Sequence, residues 1–346
     1  MKIIKVSSGN PEYTNLLLRQ TSEMSGVWGD CKFFINTNVE ECDWWFVLHG
    51  SGLVNTEECL CDPNHIVYVS MEPNETISSV SNLFMDQFSH LVICDRNIIH
   101  PSITYMNWST WWVGITVKID KGHHFSKIHK FNYDDFNNMK PFTKENKVSV
   151  VYSNMNVSNG HQKRIDFIDK LISSPISKYI DVYGVGYKPI PDKWDAIAKY
   201  KYHLVIENTE SKDYWSEKLA DAYIGFALPI YFGCENIHDY FPKDSIMLID
   251  IDDYDKSIAS IKNAIEGCLY DKKIDSIKNA RNMVLNKYNI FQLMANMAVA
   301  KSNKARKIKL YTNYYFKDNW LKKIARYCLK FFKKLRNSKN KKVSFN

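Results

Sequence analysis

Charged side chains gather directly behind an apolar run in the segment Glu207–Gly233, which reads ENTESKDYWSEKLADAYIGFALPIYFG. The preceding run, YHLVI at 202–206, is typical of a buried β-strand. In an open parallel sheet, ligands bind beyond the carboxyl ends of the strands. We therefore expect Glu207 and Asn208 to lie beside a ligand.

A helix is predicted from about Trp215, with Asp213 or Ser216 suited to cap it. Glu217 and Lys218 then lie in its first turn, where free N–H groups and the positive end of the helix dipole attract phosphate. A lysine there is unfavourable for the helix itself and is explained by a bound anion, while the carboxylate beside it can accept hydrogen bonds from a ribose diol. The pattern predicts a site for a nucleotide diphosphate. The alternative is a surface helix with a Glu–Lys pair.

Short apolar runs alternate with helical patterns along the chain, which predicts an α/β protein whose parallel sheets are covered on both faces. The polar stretch 120–147 divides the runs into two sets and is expected to be a linker or an irregular loop. We predict two α/β domains, residues 1–145 and 146–300, followed by a basic tail, residues 301–346.

The positive charge of the chain is concentrated in this tail. The tail holds sixteen of the 46 basic side chains and one of the 38 acidic ones, which leaves 30 basic and 37 acidic side chains in residues 1–300. A basic tail favours a polyanionic partner, either a membrane surface or nucleic acid. A dedicated nucleic-acid binder usually spreads basic charge over its folded face, so the acidic body argues against nucleic acid.

The stretch YHLVIENTESKDYWSEKLADAYIGFALPIYFG resembles the donor-site motif of the α-1,3/1,4-fucosyltransferases, glycosyltransferase family 10, of bacterial type. That motif has E-N, a polar spacer, D-Y, a triplet like T-E-K, an amphipathic helix, and a P-I/V strand that ends in Gly. The resemblance extends more weakly over 148–253, and the first half matches only in outline. It implies a GT-B fold, in which an acceptor-side and a sugar-nucleotide-binding Rossmann-like domain face each other across a cleft.

The resemblance also implies which side chains form the donor pocket. Three of them bind the sugar nucleotide, Arg164 meets its diphosphate, and the rest are lesser members of the same pocket. The full set is Tyr214, Glu217, Lys218, Arg164, Asn154, Glu207 and Asn208.

The implied reaction is an inverting transfer of fucose from GDP-fucose to a hydroxyl of a bacterial surface glycan or glycolipid, with no metal or other cofactor required. Such a transfer needs a base on the acceptor side. Glu72 in VYVSMEP follows a strand and resembles the acid that serves as base in the family, and Glu75 is its rival. Trp215 and Ser216 depart from the usual residues of the motif, so a different sugar-nucleotide donor stays open.

Three further motifs each have two interpretations. DIDD at 250–253 contains the D-x-D metal motif of a different glycosyltransferase fold, but its place after a strand favours a loop. The adjacent His123 and His124 cannot share a helix face and are expected in solvent rather than on a metal. MNWSTWWVG at 106–114 either packs in a core or lines the acceptor cleft, because sugar rings stack on indoles.

Residues 317–342 have the pattern of a helix that lies in a membrane interface. Basic residues flank one apolar stripe, which consists of Leu321, Ile324, Cys328, Phe331, Phe332 and Leu335. Anionic lipid would attract such a helix. The alternative is a mobile tail or a helix packed on the acidic body. No signal peptide, membrane span or disulfide pattern is recognised, so we expect a cytoplasmic protein with free thiols, peripherally bound to the inner membrane.

Overall fold

The structure, a computed structural model, describes residues 1–48, 53–70, 72, 80–108, 110–119, 123–152, 159–184, 186–301 and 304–317. Within these residues, parallel sheets of seven and five strands organise the chain, and two antiparallel strand pairs accompany them. The strands are β1 (Lys2–Ser8), β2 (Val27–Trp28), β3 (Cys31–Ile35), β4 (Trp44–Leu48), β5 (Glu57–Cys61), β6 (Ile66–Val69), β7 (His90–Ile93), β8 (Ile103–Tyr105), β9 (Ile115–Ile119), β10 (His123–His129), β11 (Glu145–Val151), β12 (Ile180–Tyr183), β13 (Tyr200–Ile206), β14 (Leu228–Phe232), β15 (Met247–Leu248) and β16 (Arg306–Leu310).

The helices lie between these strands and cover both faces of the sheets. They are α1 (Tyr13–Leu18), α2 (Asn82–Met85), α3 (Tyr133–Asn138), α4 (Asn159–Ile172), α5 (Trp194–Ile197), α6 (Glu217–Ile224), α7 (Ile237–Tyr240), α8 (Tyr254–Glu266), α9 (Leu269–Asn282) and α10 (Ile290–Met297). A π-helical turn, Met283–Lys287, joins the last two.

The first sheet has the order β2-β3-β1-β4-β6-β7-β8 and is parallel except for β2, which runs antiparallel to β3. Its central strands are apolar on both faces. In β4, Trp45 and Val47 enter one core, whereas Phe46 and Leu48 enter the other. This is why the sequence shows continuous apolar runs rather than alternation.

The second sheet has the order β12-β11-β13-β14-β15, and every pairing is parallel. The sequence prediction of an α/β protein with two parallel sheets is therefore confirmed. The carboxyl ends of the two sheets approach each other, since Arg96 just after β7 contacts Asp213 just after β13. This is the GT-B arrangement.

After the second sheet the chain returns to the first. Ile290, Phe291 and Met294 of α10 are buried in one core of the first sheet, and β16 pairs antiparallel with β5. The sequence assigns α10 to the domain 146–300, but the helix packs against the strands of 1–145. The proposed boundaries themselves stay a prediction.

The stretch 120–147 was expected to be a linker or irregular loop, and this expectation is wrong for much of it. It contains β10, which pairs with β9, and the helix α3. The helix begins at a capping box, in which Asn132 and Asp135 each accept from the other's backbone N–H. Polar composition concealed these elements.

The predicted tail 317–342 lies outside the described residues, apart from Lys317. Among the helices that the structure describes, none is long and apolar enough to cross a membrane. The cysteines in the described part of the chain are free thiols.

Candidate active site

A crevice lies at the carboxyl ends of the adjacent strands β11 and β13. From β11 the chain moves through α4 to β12 on one side, whereas β13 lies on the other side, so the strand order reverses here. Such a switch point is where open α/β sheets bind ligands. The crevice has about 400 Å³ of empty space, partly open to solvent. Its polar lining consists of Tyr152, Arg164, Lys193, His203, Lys218 and Asp221.

The start of α6 is built around a buried glutamate. Ser216 is the N-cap, one of the two candidates that the sequence predicts, and it accepts from the backbone N–H of Lys218. The carboxylate of Glu207 accepts from the Ser216 N–H at 2.8 Å and from its hydroxyl at 2.7 Å. A Cβ at Gly233 would lie 2.5 Å from Cγ of Glu207, so only glycine lets β14 end this close. Glu207 therefore anchors the helix start.

Glu217 and Lys218 lie in the first turn of α6, as the sequence predicts. Lys218 Nζ is 3.4 Å from both Glu207 and Glu217, and Lys193 Nζ is 3.6 Å from Glu217. Burial alone would raise the pKa of Glu217, but Lys218 and Lys193 together lower it to about 2. Glu217 is therefore a permanent carboxylate at neutral pH.

Lys193 and Asp221 were missed by sequence reasoning. The Asp221 carboxylate is fully buried, lies 3.0 Å from Lys193 Nζ, and accepts from the backbone N–H groups of Trp112 (2.8 Å) and Val113 (3.2 Å). One signal was available for Asp221, because it is an acid within the otherwise apolar run LADAYIG. Lys193, in a Pro-rich loop, gave no such signal.

Arg164 lies on the first turns of α4 and is buried. Its Nη1 donates to Oδ1 of Asn208 at 2.7 Å, and its guanidinium lies 5.8 Å from the ring centroid of Tyr152. The structure thus brings Arg164 and Asn208 together beside Lys218, and their role in donor binding stays a prediction. A Cβ at Gly160 would lie 1.8 Å from the Asn208 carbonyl oxygen, so the start of α4 touches that backbone directly. Asn154 lies outside the described residues.

Tyr214 is buried beside the start of α6. Burial raises its pKa, and the charges of Glu207, Glu217 and Glu72 raise it further. The phenol is thus surrounded by carboxylates from both sides of the cleft and stays protonated, able to donate a hydrogen bond.

Glu72 follows β6 of the first sheet. Its backbone N–H donates to the Ser70 hydroxyl at 3.2 Å, and its carbonyl accepts from the Cys94 thiol at 3.2 Å. Burial raises the pKa of Glu72, the charge of Glu217 raises it further, and Lys218 offsets part of the rise. The charges on α6 therefore influence the pKa of Glu72 from the opposite sheet, and the role of Glu72 as base stays a prediction. Its rival Glu75 lies outside the described residues.

The tryptophans of 106–114 divide between two roles. Trp108 and Trp111 are buried in cores, whereas Trp112 is partly exposed, with Lys193 Nζ 4.9 Å from the centroid of its ring. The core interpretation holds for the first two.

The segment DIDD is a loop, as the sequence favours. Asp253 caps α8, and Asp252 pairs with Lys163 at 2.8 Å. The described residues hold no group of three His, Cys, Asp or Glu side chains placed to bind a metal ion.

The two facing parallel sheets, with a cationic crevice at a strand-order switch point, have the architecture of the GT-B fold class. More specifically, residues 141–267 match the family model described as glycosyltransferase family 10 (fucosyltransferase) C-term, so this part of the chain is a fucosyltransferase-family domain.

Three relatives illustrate the match. The chain is 34% identical over 79 residues to the Helicobacter pylori alpha-(1,3)-fucosyltransferase FucT, covering 22% of this chain and 16% of the relative. It is 33% identical over 76 residues to human 4-galactosyl-N-acetylglucosaminide 3-alpha-L-fucosyltransferase FUT6, covering 20% and 21%. It is 42% identical over 52 residues to an Arabidopsis thaliana alpha-(1,4)-fucosyltransferase, covering 15% and 13%. The matched segments thus span less than a quarter of each relative.

Solved structures of similar shape include an alpha1,3-fucosyltransferase with GDP-fucose, at a TM-score of 0.44 and 17% identity over 88% of this chain and 92% of that one. A mutant of TarM from S. aureus has a TM-score of 0.43 and 8% identity, covering 68% and 51%. The OtsA apo structure has a TM-score of 0.44 and 9% identity, covering 86% and 98%.

Proposed function

We propose that this protein is an inverting fucosyltransferase that moves fucose from GDP-fucose to a hydroxyl group of a bacterial surface glycan. The observation that carries the proposal is the pairing of a cationic crevice on the second sheet with Glu72 on the first, in a chain whose residues 141–267 match the fucosyltransferase family.

The diphosphate of the donor would lie against three cations, Arg164, Lys193 and Lys218, which line one crevice. Glu207, Glu217 and Asp221 lie close to two of these cations and balance their charge. Charge-assisted hydrogen bonds to phosphate are short and strong, and they strengthen as the leaving diphosphate gains charge. We therefore propose that these side chains supply the charge stabilisation and that activity survives EDTA.

The two carboxylates of the site would have different roles. Glu72, with its raised pKa, takes the proton of the acceptor hydroxyl as that oxygen bonds to the anomeric carbon and the bond to the diphosphate breaks. Glu217, with its pKa of about 2, stays ionised and accepts hydrogen bonds from the donor. Opposed pKa shifts of this kind are how neighbouring carboxylates divide acid–base and binding work.

A different sugar nucleotide is the alternative donor. The two residues that depart from the family motif are both occupied structurally. Trp215 is fully buried among Tyr240, Phe241 and Tyr288, and Ser216 caps α6. Because both residues have structural roles, their difference from the family motif need not change the contacts to the donor. This favours GDP-fucose over a different sugar nucleotide.

The deciding experiment offers the purified protein a panel of sugar nucleotides with glycan acceptors, and follows release of the nucleoside diphosphate and formation of the glycoside. We expect GDP-fucose to be used at least ~10-fold better than other donors, which corresponds to about 1.4 kcal/mol in the transition state. Preference for another sugar nucleotide would support the alternative, and no turnover of any donor would contradict both. The anomeric configuration of the product tests inversion.

We also propose that residues 317–342 hold the enzyme against anionic lipid on the cytoplasmic side of the inner membrane, near a glycolipid acceptor. What supports this is the alternating apolar and basic sequence and the place where the tail begins, a few residues after β16, which pairs with β5. Full-length protein should co-sediment with anionic vesicles, less so at high salt, and not with neutral ones. A version ending at Lys317 should lose this binding while it keeps donor binding.

A further inference from the structure

We propose that Arg96 and Asn107, two side chains from the first sheet's side, clamp the donor segment Asp213–Trp215 on either side of Tyr214. In this role they are positioning residues, which set the distance between the donor and Glu72. The inference deepens the proposed function and rests on it.

The first arm of the clamp is an ion pair across the cleft. Arg96 follows β7, and both its Nε (3.1 Å) and its Nη2 donate to Oδ2 of Asp213. Its guanidinium also lies 4.9 Å from the ring centroid of Tyr105 on β8. The Arg96 side chain is half exposed, whereas that of Asp213 is only 6% exposed. Two donors on one oxygen, with a ring behind them, fix the direction of the guanidinium in a way that a lysine cannot reproduce.

Asp213 has an uncommon backbone conformation that several side chains hold in place. Its φ is +62°, in the left-handed region that residues other than glycine rarely adopt. Its N–H donates to Asn236 at 2.7 Å, and its Oδ1 accepts from Asn236 and from the Tyr240 hydroxyl, each at 2.9 Å. A strained conformation persists where the surroundings over-determine it, typically at functional sites.

The second arm is a buried amide. Asn107 is fully buried, and its Nδ2 donates to the Trp215 carbonyl at 2.6 Å. Its Oδ1 accepts from the N–H of Trp108, which is itself buried in a core of the first sheet. Asn107 therefore moves with the first sheet, and the two arms contact the residues immediately before and after Tyr214.

The clamp shares an edge with the proposed base. Glu72 and Arg96 follow the neighbouring strands β6 and β7, and the Cys94 thiol, two residues before Arg96, donates to the Glu72 carbonyl. A movement of one sheet relative to the other would stretch the contacts of Arg96 and Asn107. These contacts therefore hold the distance between Glu72 and the donor constant. Misplacement of reacting groups by about 1 Å can cost ~10²-fold in rate.

The test compares Arg96→Ala, Arg96→Lys, Asp213→Asn and the Arg96→Ala/Asp213→Asn double variant. The control is Lys130→Met, which breaks an ion pair of two half-exposed side chains, 3.3 Å apart, that does not touch the donor segment. We expect Arg96→Ala to lower kcat for transfer ~10–100-fold, with only partial recovery in Arg96→Lys. GDP affinity by calorimetry should change less than ~3-fold, because Arg96 does not line the crevice. The loss should therefore appear in kcat and not in the binding of GDP. The double variant should be no slower than Asp213→Asn alone.

Additive losses in the cycle, or a kcat of Arg96→Ala within about twofold of the control, would overturn the clamp. Should Asp213→Asn fail to fold, the Arg96→Ala and Arg96→Lys rates decide alone. If the unaltered protein transfers no fucose, the proposed function fails. Thermal unfolding of the unaltered protein, Arg96→Ala, Asp213→Asn and the double variant then tests the clamp. Non-additive changes in Tm would support the clamp, and additive changes would contradict it.

Discussion

At the scale of single residues, the site is organised by two glutamates with opposite protonation behaviour. Partial burial and the charge of Glu217 raise the pKa of Glu72, whereas Lys218 and Lys193 outweigh the burial of Glu217 and lower its pKa. The raised pKa makes Glu72 the stronger proton acceptor of the two, whereas Glu217 stays charged.

Replacing the proposed base should separate chemistry from binding. Glu72→Gln keeps the size of the side chain but removes its basicity, so transfer should fall by ~10²–10⁴-fold. GDP affinity, measured by calorimetry, should stay close to that of the unaltered protein. If Glu72→Gln transfers normally while Glu75→Gln does not, Glu75 is the base.

The pH dependence of kcat/KM should report the environment of Glu72. A base must be deprotonated to act, so a raised pKa moves the acid limb of the profile above the ordinary glutamate value of about 4.3. Lys218 opposes this rise, so Lys218→Ala should move the limb to still higher pH. An acid limb at or below the ordinary value would contradict the assignment.

The crevice cations should be needed for phosphate rather than for the nucleoside. Lys218→Ala, Arg164→Ala and Lys193→Met should each weaken GDP binding by ~10-fold or more, since hydrogen bonds to charged groups are typically worth about 1.5–3 kcal/mol. Guanosine affinity should change little. Lys178→Met, which removes an exposed lysine in the short 3-10 helix before β12, is the control. Equal losses for GDP and guanosine would indicate collapse of the pocket instead.

At the scale of elements, the donor pocket depends on how closely two helix starts approach β13. Glu207 and Ser216 fix the start of α6, while Gly160 lets the start of α4 touch Asn208. The pocket is thus a product of backbone packing as much as of its charged side chains.

Gly160→Ala tests this packing. Its Cβ would lie 1.8 Å from the Asn208 carbonyl oxygen, so α4 must shift, and Arg164 shifts with it. We expect a loss of stability of ~1–3 kcal/mol, the usual range for overpacking, together with weaker GDP binding. Gln162→Ala on the exposed side of the same helix is the control in urea unfolding and calorimetry. Unchanged stability and affinity in Gly160→Ala would show that α4 is not held there.

Sequence reasoning succeeded where the interaction is local and failed where it is distant. The Ser216 cap and the first-turn positions of Glu217 and Lys218 follow from neighbours within a few residues. The contacts of Asp221 with the Trp112 and Val113 backbone, and of Arg96 with Asp213, join positions more than 100 residues apart. The hydrophobic periodicity of a sequence does not predict contacts between such distant positions. The prediction of a loop at 120–147 failed for a different reason. Its capping box at Asn132 and Asp135 is a local signal that the sequence contains and that could have predicted the helix.

At the scale of the whole molecule, acid should destabilise the fold through His203. This side chain is buried against the Ser149 hydroxyl, and burial lowers its pKa to about 3. Below pH ~6.5 the unfolded chain binds a proton at this residue, whereas the folded chain does not. The free energy of unfolding therefore falls as the pH drops from there toward 3, by about 1.4 kcal/mol per pH unit for one group. His203→Asn should show a flatter decline than the unaltered protein in urea unfolding at pH 7, 6 and 5. His238→Asn, at an exposed position, should not. Parallel slopes for His203→Asn and the unaltered protein would contradict this account.

The return of α10 to the first sheet has a consequence for biosynthesis. Ile290, Phe291, Met294 and Ala298 complete a core whose other buried members are Trp108 and residues of α1 and the strands within the first 93 residues. A ribosome making this chain at about 5–20 residues per second releases those other members many seconds before the helix that covers them. During that interval one apolar face of the first sheet is exposed to solvent. The nascent chain is thus expected to engage holdase chaperones until translation passes residue 298, and a ribosome stalled before α10 should carry a protease-sensitive first half.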